Sequence, residues 1–381
     1  MVDLLTEHYD VVIRYQGGGN AGHTVINDYG KFALHLLPSG IFRRGVVNVL
    51  GNGVALDPEN LWAEMQEVMG KGVSLTPDNL KISDRASLLL PWHRDLDALE
   101  EARLADKKYG STKQGIAPFY SDKQQKKTVL AGELFYPEEM RAHLRDLMEW
   151  KNLTLTKVYG AKPYTMEMLE RWINDACEKI KPYICDTGSF LENALASHKK
   201  VVLEAQLGAM RDIDYGIFPY TSSSSTISAY GPIGAGIPGE SLDHVVGVLK
   251  AYSTCVGAGP FVAERAMSED WCNILRKFGN EYGAATGRPR RVGPFDAVAS
   301  RYGLKCQHAD KIALTKLDVL SSLTEIPVIT AYERNHKTTT VFDPTENIDS
   351  FSPVVTMLPG WKQDISACRK YEDLPENARL Y

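Results

Sequence analysis

No run of about 18 apolar residues, the length a membrane-spanning helix requires, occurs in this 381-residue chain. A basic surplus is lacking too: 43 Lys and Arg stand against 48 Asp and Glu, a net charge of −5, so there is no electrostatic footprint for nucleic acid. Cysteine is scarce. The six residues Cys177, Cys185, Cys255, Cys272, Cys306 and Cys368 form no CxxC pair and have no clustered histidines, which argues against a zinc or disulfide framework. Reduced thiols in a cytoplasmic protein are the expectation. Internal repeats and low-complexity segments are absent. Met1–Glu7 has no signal-peptide character, and Val2–Leu5 reads as the end of a helix already under way. What remains is ordinary globular usage, 44% hydrophobic and 24% charged, in a chain long enough for a large core.

The stretch Gln16–Thr24 (QGGGNAGHT) organises the reading. Before it, Val11-Val12-Ile13 are three consecutive β-branched residues, the mark of a buried strand. Gly17, Gly18 and Gly19 allow turns that other residues resist, and successive N–H groups in such a turn form an anion nest. Asn20 and Thr24 add polar side chains, and His23 adds a group that titrates near neutrality. These residues fit a phosphate-chemistry site. They fit equally a glycine-rich hairpin with a surface histidine.

Further strands are expected at 31–37, 46–50, 80–83, 200–204, 244–252 and 312–320, and helices at 95–108, 137–152, 165–184 and 189–197. Another helix should open at Asp57-Pro58, with Asp as cap and Pro in the first turn. The stretch 110–127 reads as a polar loop without helical period, and 343–352 as a surface loop. Ser and Thr crowd Thr221–Thr226, and three arginines fall in 284–291 (AATGRPRR), suited to carboxylate or phosphate recognition or to a solvated basic loop.

In order along the chain, VDLLTE (2–7), RYQGGGNAGHT (14–24), HLLPSGI (35–41), GNGV (51–54), STKQGIAPFYSDK (111–123), DIDYGIFPY (212–220), LKAYST (249–254), VGAGPF (256–261), ATGRPRR (285–291), LTKLDVL (314–320) and LPGW (358–361) resemble the adenylosuccinate synthetase family. The resemblance implies one α/β domain over residues 1–381, built on a large, mostly parallel central sheet flanked by helices, of P-loop type and working as a homodimer. It further implies a Mg2+-dependent reaction in which GTP phosphorylates O6 of IMP and the amine of L-aspartate then displaces phosphate.

Residue by residue, the resemblance places His23 and Lys123 as catalytic, with His23 the acid that helps the β–γ bridge of GTP depart. IMP would meet Asn20, Ala21, Gly22, His23, Thr112, Lys126, Leu207, Ser222 and Arg288. Aspartate would meet Ala284, Ala285, Thr286, Gly287, Arg288 and Arg290. GTP would meet Gly22, His23, Thr24, Arg290, Lys316, Leu317 and Asp318, and the Gly22 carbonyl would bind Mg2+. The guanine assignment has independent physics. Guanine offers N1–H and N2–H2 as parallel donors, and an ionised carboxylate such as Asp318 accepts both, whereas adenine would set a lone pair against it.

This chain departs from the family pattern at several places. Ser222 stands for a usual threonine, Lys126 for the arginine that reaches the partner's IMP, Leu207 for an IMP-binding glutamine, and Cys255 for an arginine; Pro289 interrupts the arginine run. The family's first strand and its QWGDEGKGK-type phosphate loop would precede Met1, and its last segment would follow Tyr381. On that ground a non-catalytic paralogue, or a nucleotide-binding interaction protein of the same fold, is the alternative to a ligase.

Overall fold

The computed structural model describes residues 1–282, 287 and 289–381. Contacts divide the chain into two compact units, Met1–Asp214 with Ser222–Leu242, and Tyr215–Thr221 with Asp243–Tyr381. Strands are numbered in chain order.

In the first unit, β1 (Val11–Arg14) lies between β4 (Val47–Leu50) and β9 (Val201–Glu204). The sheet continues through β6 (Leu80–Ser83) to β8 (Ile184–Cys185), and every pairing in it is parallel. All four residues of β1 are buried, as expected where helices cover both faces of a parallel sheet. Val11, Ile13 and Val49 pack on one side with Leu191 and Ala235, whereas Leu50 and Ile82 pack on the other with Leu61, Met65 and Trp92. The register sets Arg14 beside Leu50 and Glu204, bringing the ends of β1 and β9 together. Two short pairs complete the unit: the hairpin β2 (His23–Asn27) and β3 (Gly30–Leu34), and the parallel pair β5 (Ala55–Leu56) and β7 (Ser87–Leu88).

Helix α1 (Val2–Leu5) is short. Helix α2 (Pro58–Gly70) opens where expected, the Asp57 carboxylate accepting from Asn60 N–H at 3.1 Å. Helix α3 (Pro91–Leu104) begins four residues before the expected Asp95. The loop expected over 110–127 contains helix α4 (Ile116–Gln124). Ile116, Phe119, Tyr120 and Lys123 fall on one face at helical spacing, and Gly115 enters it with φ +74°. The polar residues on either side mask this short period. Helix α5 (Pro137–Leu153) follows. The helix expected over 165–184 is α-helical from Met166 to Trp172, widens into a π-turn over Ile173–Cys177, returns to α for Glu178–Ile180 and ends in a 3-10 turn at Lys181–Tyr183, where Pro182 removes a donor.

In the second unit, β10 (Val246–Lys250) and β14 (Lys311–Thr315) pair in parallel, while β11 (Ser253–Cys255) and β12 (Arg291–Gly293) are antiparallel. The short β13 (Phe295–Asp296) runs parallel to β15 (Glu325–Arg334), which also pairs antiparallel with β16 (Lys337–Thr339) and β17 (Ser352–Pro359). Strand β14 stops at Thr315, short of the expected Leu320, because Lys316 takes a left-handed conformation (φ +62°) and a 3-10 turn follows. All six cysteines are free. Among the described residues, no helix is long and apolar enough to cross a membrane.

Candidate active site

The glycine turn is fastened to the first unit from three directions. Gly17 N–H donates to the Tyr120 hydroxyl of α4 at 3.1 Å, and that hydroxyl donates to Gly53 O at 2.9 Å. Gly17 O accepts from Ala55 N–H at 2.7 Å. Beyond the end of β9, the buried Gln206 amide spans the turn. Its Oε1 accepts from Gly18 N–H at 3.0 Å, and its Nε2 donates to Gly18 O and Ala21 O, both at 2.8 Å. Gln16 Nε2 donates back to Gln206 O at 2.5 Å. A Cβ on Gly17 would stand 1.8 Å from Gln206 Oε1, so the position requires glycine for space as well as for its φ of +77°. The nest expected of consecutive free N–H groups is therefore half spent within the protein, at Gly17 and Gly18.

His23 opens β2 beside a buried polar group at the end of β1. Arg14 Nη1 lies 3.4 Å from His23 Nδ1 and 3.5 Å from Glu204 Oε1, and Arg14 Nη2 donates to His35 O at 3.0 Å. Ser39 donates its hydroxyl to Glu204 Oε1 at 2.7 Å and its N–H to Oε2 at 2.8 Å; its Oγ is 3.2 Å from His23 Nε2. A guanidinium only donates, so His23 Nδ1 is the acceptor and Nε2 carries the proton, facing Ser39 and Glu204. Burial pulls the imidazole down to about 4, the Glu204 carboxylate opposing and the Arg14 cation reinforcing that shift. The ring is neutral at pH 7. Glu64 of α2 holds the adjoining turn by accepting from the N–H groups of His35 (2.9 Å), Leu36 (2.9 Å) and Leu37 (3.3 Å).

Lys123 projects from α4 and donates to Asn52 O at 3.0 Å; burial lowers its ammonium pKa. The next residue toward the N-terminus, Asp122, is clamped by His93 Nε2 (2.9 Å) and Lys151 Nζ (2.7 Å), so α3 and α5 both fix α4. Asn20 and Ala21 are half-buried and Thr24 and Thr112 exposed. Lys126 lies past the end of α4 with φ +61°, exposed. Leu207 is 37% exposed with φ +69°, and Ser222 is half-buried with Oγ 3.2 Å from Ser224 Oγ. The amide of Gln206, one residue from Leu207, is bonded to the turn.

The second unit holds the other expected cluster. Lys316 Nζ donates to Gly279 O at 2.5 Å, and Asp318 is exposed on the following turn. Lys316, Leu317 and Asp318 line an open cleft of about 440 Å³ with Ser366, Arg369 and Tyr371. Arg290 donates to the buried Glu281 at 2.7 Å. Gly287 has φ +63° and no neighbour within 4 Å of where a Cβ would stand. Ala284, Ala285, Thr286 and Arg288 lie outside the described residues.

Sequence reading missed Gln206, Glu204, Ser39 and Arg14 around the glycine turn, and the 365–374 segment beside Asp318. Only Arg14 and Glu204 carried a usable signal, as charged residues at the ends of strands otherwise apolar.

In the first unit a parallel α/β scaffold presents a glycine turn and a histidine at its strand ends; the second unit carries its own lysine–carboxylate turn. The family profile described as adenylosuccinate synthetase matches residues 1–381. Adenylosuccinate synthetase 2 of Pseudoalteromonas translucida is 42% identical over 383 residues, 100% of this chain and 89% of that protein. The enzyme of Carboxydothermus hydrogenoformans is 41% identical over 382 residues, covering 100% and 88%. The fully ligated adenylosuccinate synthetase of Plasmodium falciparum superposes with a TM-score of 0.91 at 36% identity, covering 99% of this chain and 88% of that one. The chain belongs to the adenylosuccinate synthetase family. It is by family a carbon–nitrogen ligase of purine nucleotide biosynthesis, and the reading as a non-catalytic binding protein is not favoured.

Proposed function

We propose that this chain joins L-aspartate to IMP at the expense of GTP, with phosphate chemistry assigned to the glycine turn and His23 of the first unit and guanine recognition to Lys316–Asp318 of the second. The observation that carries the reading is the buried Arg14–Glu204–Ser39 group around His23, which fixes one imidazole tautomer next to a glycine turn. A neutral imidazole whose pKa is held down by burial is suited to gain a proton when phosphate approaches, and then to donate it to a departing phosphate oxygen. Gly22 lets the turn pass against the His35 ring, since a Cβ there would sit 2.8 Å from His35 Cε1. Thr112, Ser222 and Asn20 offer uncharged donors to IMP, and Lys123 supplies a cation whose charge burial makes costly to leave unpaired by an anion.

Mg2+ is a hard cation that takes oxygen ligands. The donors near the turn are of that kind: Asn20 Oδ1 and Gln16 Oε1 are buried acceptors with no hydrogen-bond partner among the described residues, and Gly22 adds its carbonyl. Among the described residues no group of three or more His, Cys, Asp or Glu is placed to hold a metal ion, so phosphate oxygens would complete the shell. When bound, the ion would neutralise charge developing on the transferred phosphoryl group. A cytoplasmic homodimer is part of the same proposal, on family grounds.

The test is calorimetric titration of the purified protein with IMP, then with GTP and Mg2+, followed by assay for adenylosuccinate on adding aspartate. Binding of IMP that is lost in Asn20→Ala, and of GTP that is lost in Lys316→Ala, supports the reading. Failure of the wild-type protein to bind either nucleotide overturns it.

A further inference from the structure

Glu281 has no role in the sites above, yet it is the most enclosed carboxylate of the second unit, with no exposed surface. It follows the helix Glu269–Gly279. Its Oε1 accepts from the Tyr252 hydroxyl at 2.6 Å and from Lys250 Nζ at 2.9 Å. Its Oε2 accepts from Lys250 Nζ at 3.0 Å and from Arg290 Nη1 at 2.7 Å. Lys316 Nζ stands 3.7 Å from Oε1 and donates to Gly279 O, two residues earlier in the chain. The main chain closes the same point: Arg290 N–H donates to Glu281 O at 2.9 Å, and Tyr282 bridges Pro289. One carboxylate thus gathers three cations from the end of β10, the approach to β12 and the turn after β14.

Three cations do not converge in a buried space without a compensating charge, because at an effective dielectric of about 20 each like pair 4 Å apart repels by roughly 4 kcal/mol. Burial by itself would push the Glu281 carboxyl up. The Tyr252, Lys250 and Arg290 donors outweigh it and hold the group at about 2, so it is ionised throughout the neutral range. Two of its cations, Arg290 and Lys316, are those proposed to meet GTP, and Lys316 is two residues from Asp318.

We infer that Glu281 is a positioning residue for nucleotide selection: it sets Arg290 and Lys316 against each other and thereby fixes the turn that presents Asp318 to guanine. The inference rests on the proposed guanine site. Arg290 and Tyr282 join Glu281 to the same point, so disturbance of Glu281 is felt by GTP more than by IMP, whose proposed contacts, Arg288 apart, belong to the first unit.

The experiment measures GTP, XTP and IMP binding by calorimetry, with thermal unfolding in parallel, for wild type, Glu281→Gln, Tyr252→Phe and Asp318→Asn. Glu281→Gln should weaken GTP binding about tenfold or more, as loss of charge-assisted hydrogen bonds predicts, and lower the GTP/XTP ratio, with IMP binding changed by a smaller factor. Tyr252→Phe removes one donor and leaves the carboxylate in place; it should shift the ratio the same way by a smaller factor, which keeps the inference testable if Glu281→Gln fails to fold. A lower unfolding temperature with GTP affinity and the GTP/XTP ratio unchanged, measured well below unfolding, would make Glu281 merely structural and overturn the inference. Asp318→Asn separates the two layers. An unchanged ratio in that variant sinks the guanine site itself, whereas a changed ratio with inert Glu281→Gln and Tyr252→Phe sinks only the positioning role.

Discussion

Replacing Gln206 by alanine removes the fastening that holds the glycine turn to the end of β9. Three hydrogen bonds vanish: Gly18 N–H to Oε1 at 3.0 Å, and Nε2 to Gly18 O and Ala21 O at 2.8 Å. Gly18 N–H is left buried and unpaired, costing roughly 1–3 kcal/mol, and the two bonds to carbonyls contribute about 1 kcal/mol each. A loss of about 3 kcal/mol follows, because water entering from the partly exposed Ala21 side returns part of the gross sum. Amide hydrogen exchange at Gly18 and its neighbours is the direct assay, since it reads the opening of the turn rather than of the whole chain. The geometry supplies a sharper check. In Gly17→Ala the new Cβ collides with Gln206 Oε1 at 1.8 Å; once Gln206→Ala has removed that amide, the nearest neighbour left is the Cβ of position 206, at 3.5 Å. In the double variant only the left-handed strain at Gly17 remains, about 1–2 kcal/mol. The two substitutions together must therefore cost less than their sum. Strict additivity, or a loss below about 1 kcal/mol for Gln206→Ala, would refute the fastening.

His23 gives a pH signature. Its folded pKa of about 4 lies below the ordinary histidine value, so the unfolded chain takes up its proton first. Stability from this group is complete above pH 6.5 and falls as pH drops toward 4, by up to ~3 kcal/mol; urea titrations of His23→Gln should lack that slope. GTP binding near pH 6 should take up a proton at His23, seen as a buffer-dependent calorimetric enthalpy absent in His23→Gln, and no uptake in wild type would deny the ring its role as acid. In the active enzyme His23→Ala should lose about 10²–10⁴ in kcat, and a wild-type kcat would end the assignment. Asp122→Asn strips the buried partner from Lys151 and His93 and should cost about 3–5 kcal/mol in denaturant melts; a loss under 1 kcal/mol would show that the three helices do not depend on it.

What the sequence determined by itself was local. Consecutive β-branched residues at 11–13 specify a buried strand, Asp57-Pro58 caps and starts a helix, and glycines at 17–19 permit the turn; each signal acts between neighbours in the chain. Family motifs carried the fold class and the reaction, because collinear residues in short blocks survive where composition says little. Tertiary structure decided which groups meet. Gln206 reaches a turn 188 residues away only because β1 and β9 lie side by side, and the same pairing puts Glu204 next to Arg14 and His23. Only the packed turn shows the amide of Gln206 bonded to Gly18 and Ala21. Likewise the period of α4 is invisible within its polar flanks until Phe119 and Tyr120 find a core to enter, and Glu281 is one acid among 48 until three cations fold onto it. Hydrogen-bond partners and buried charges follow from topology, and topology is a property of the whole chain that no local window contains.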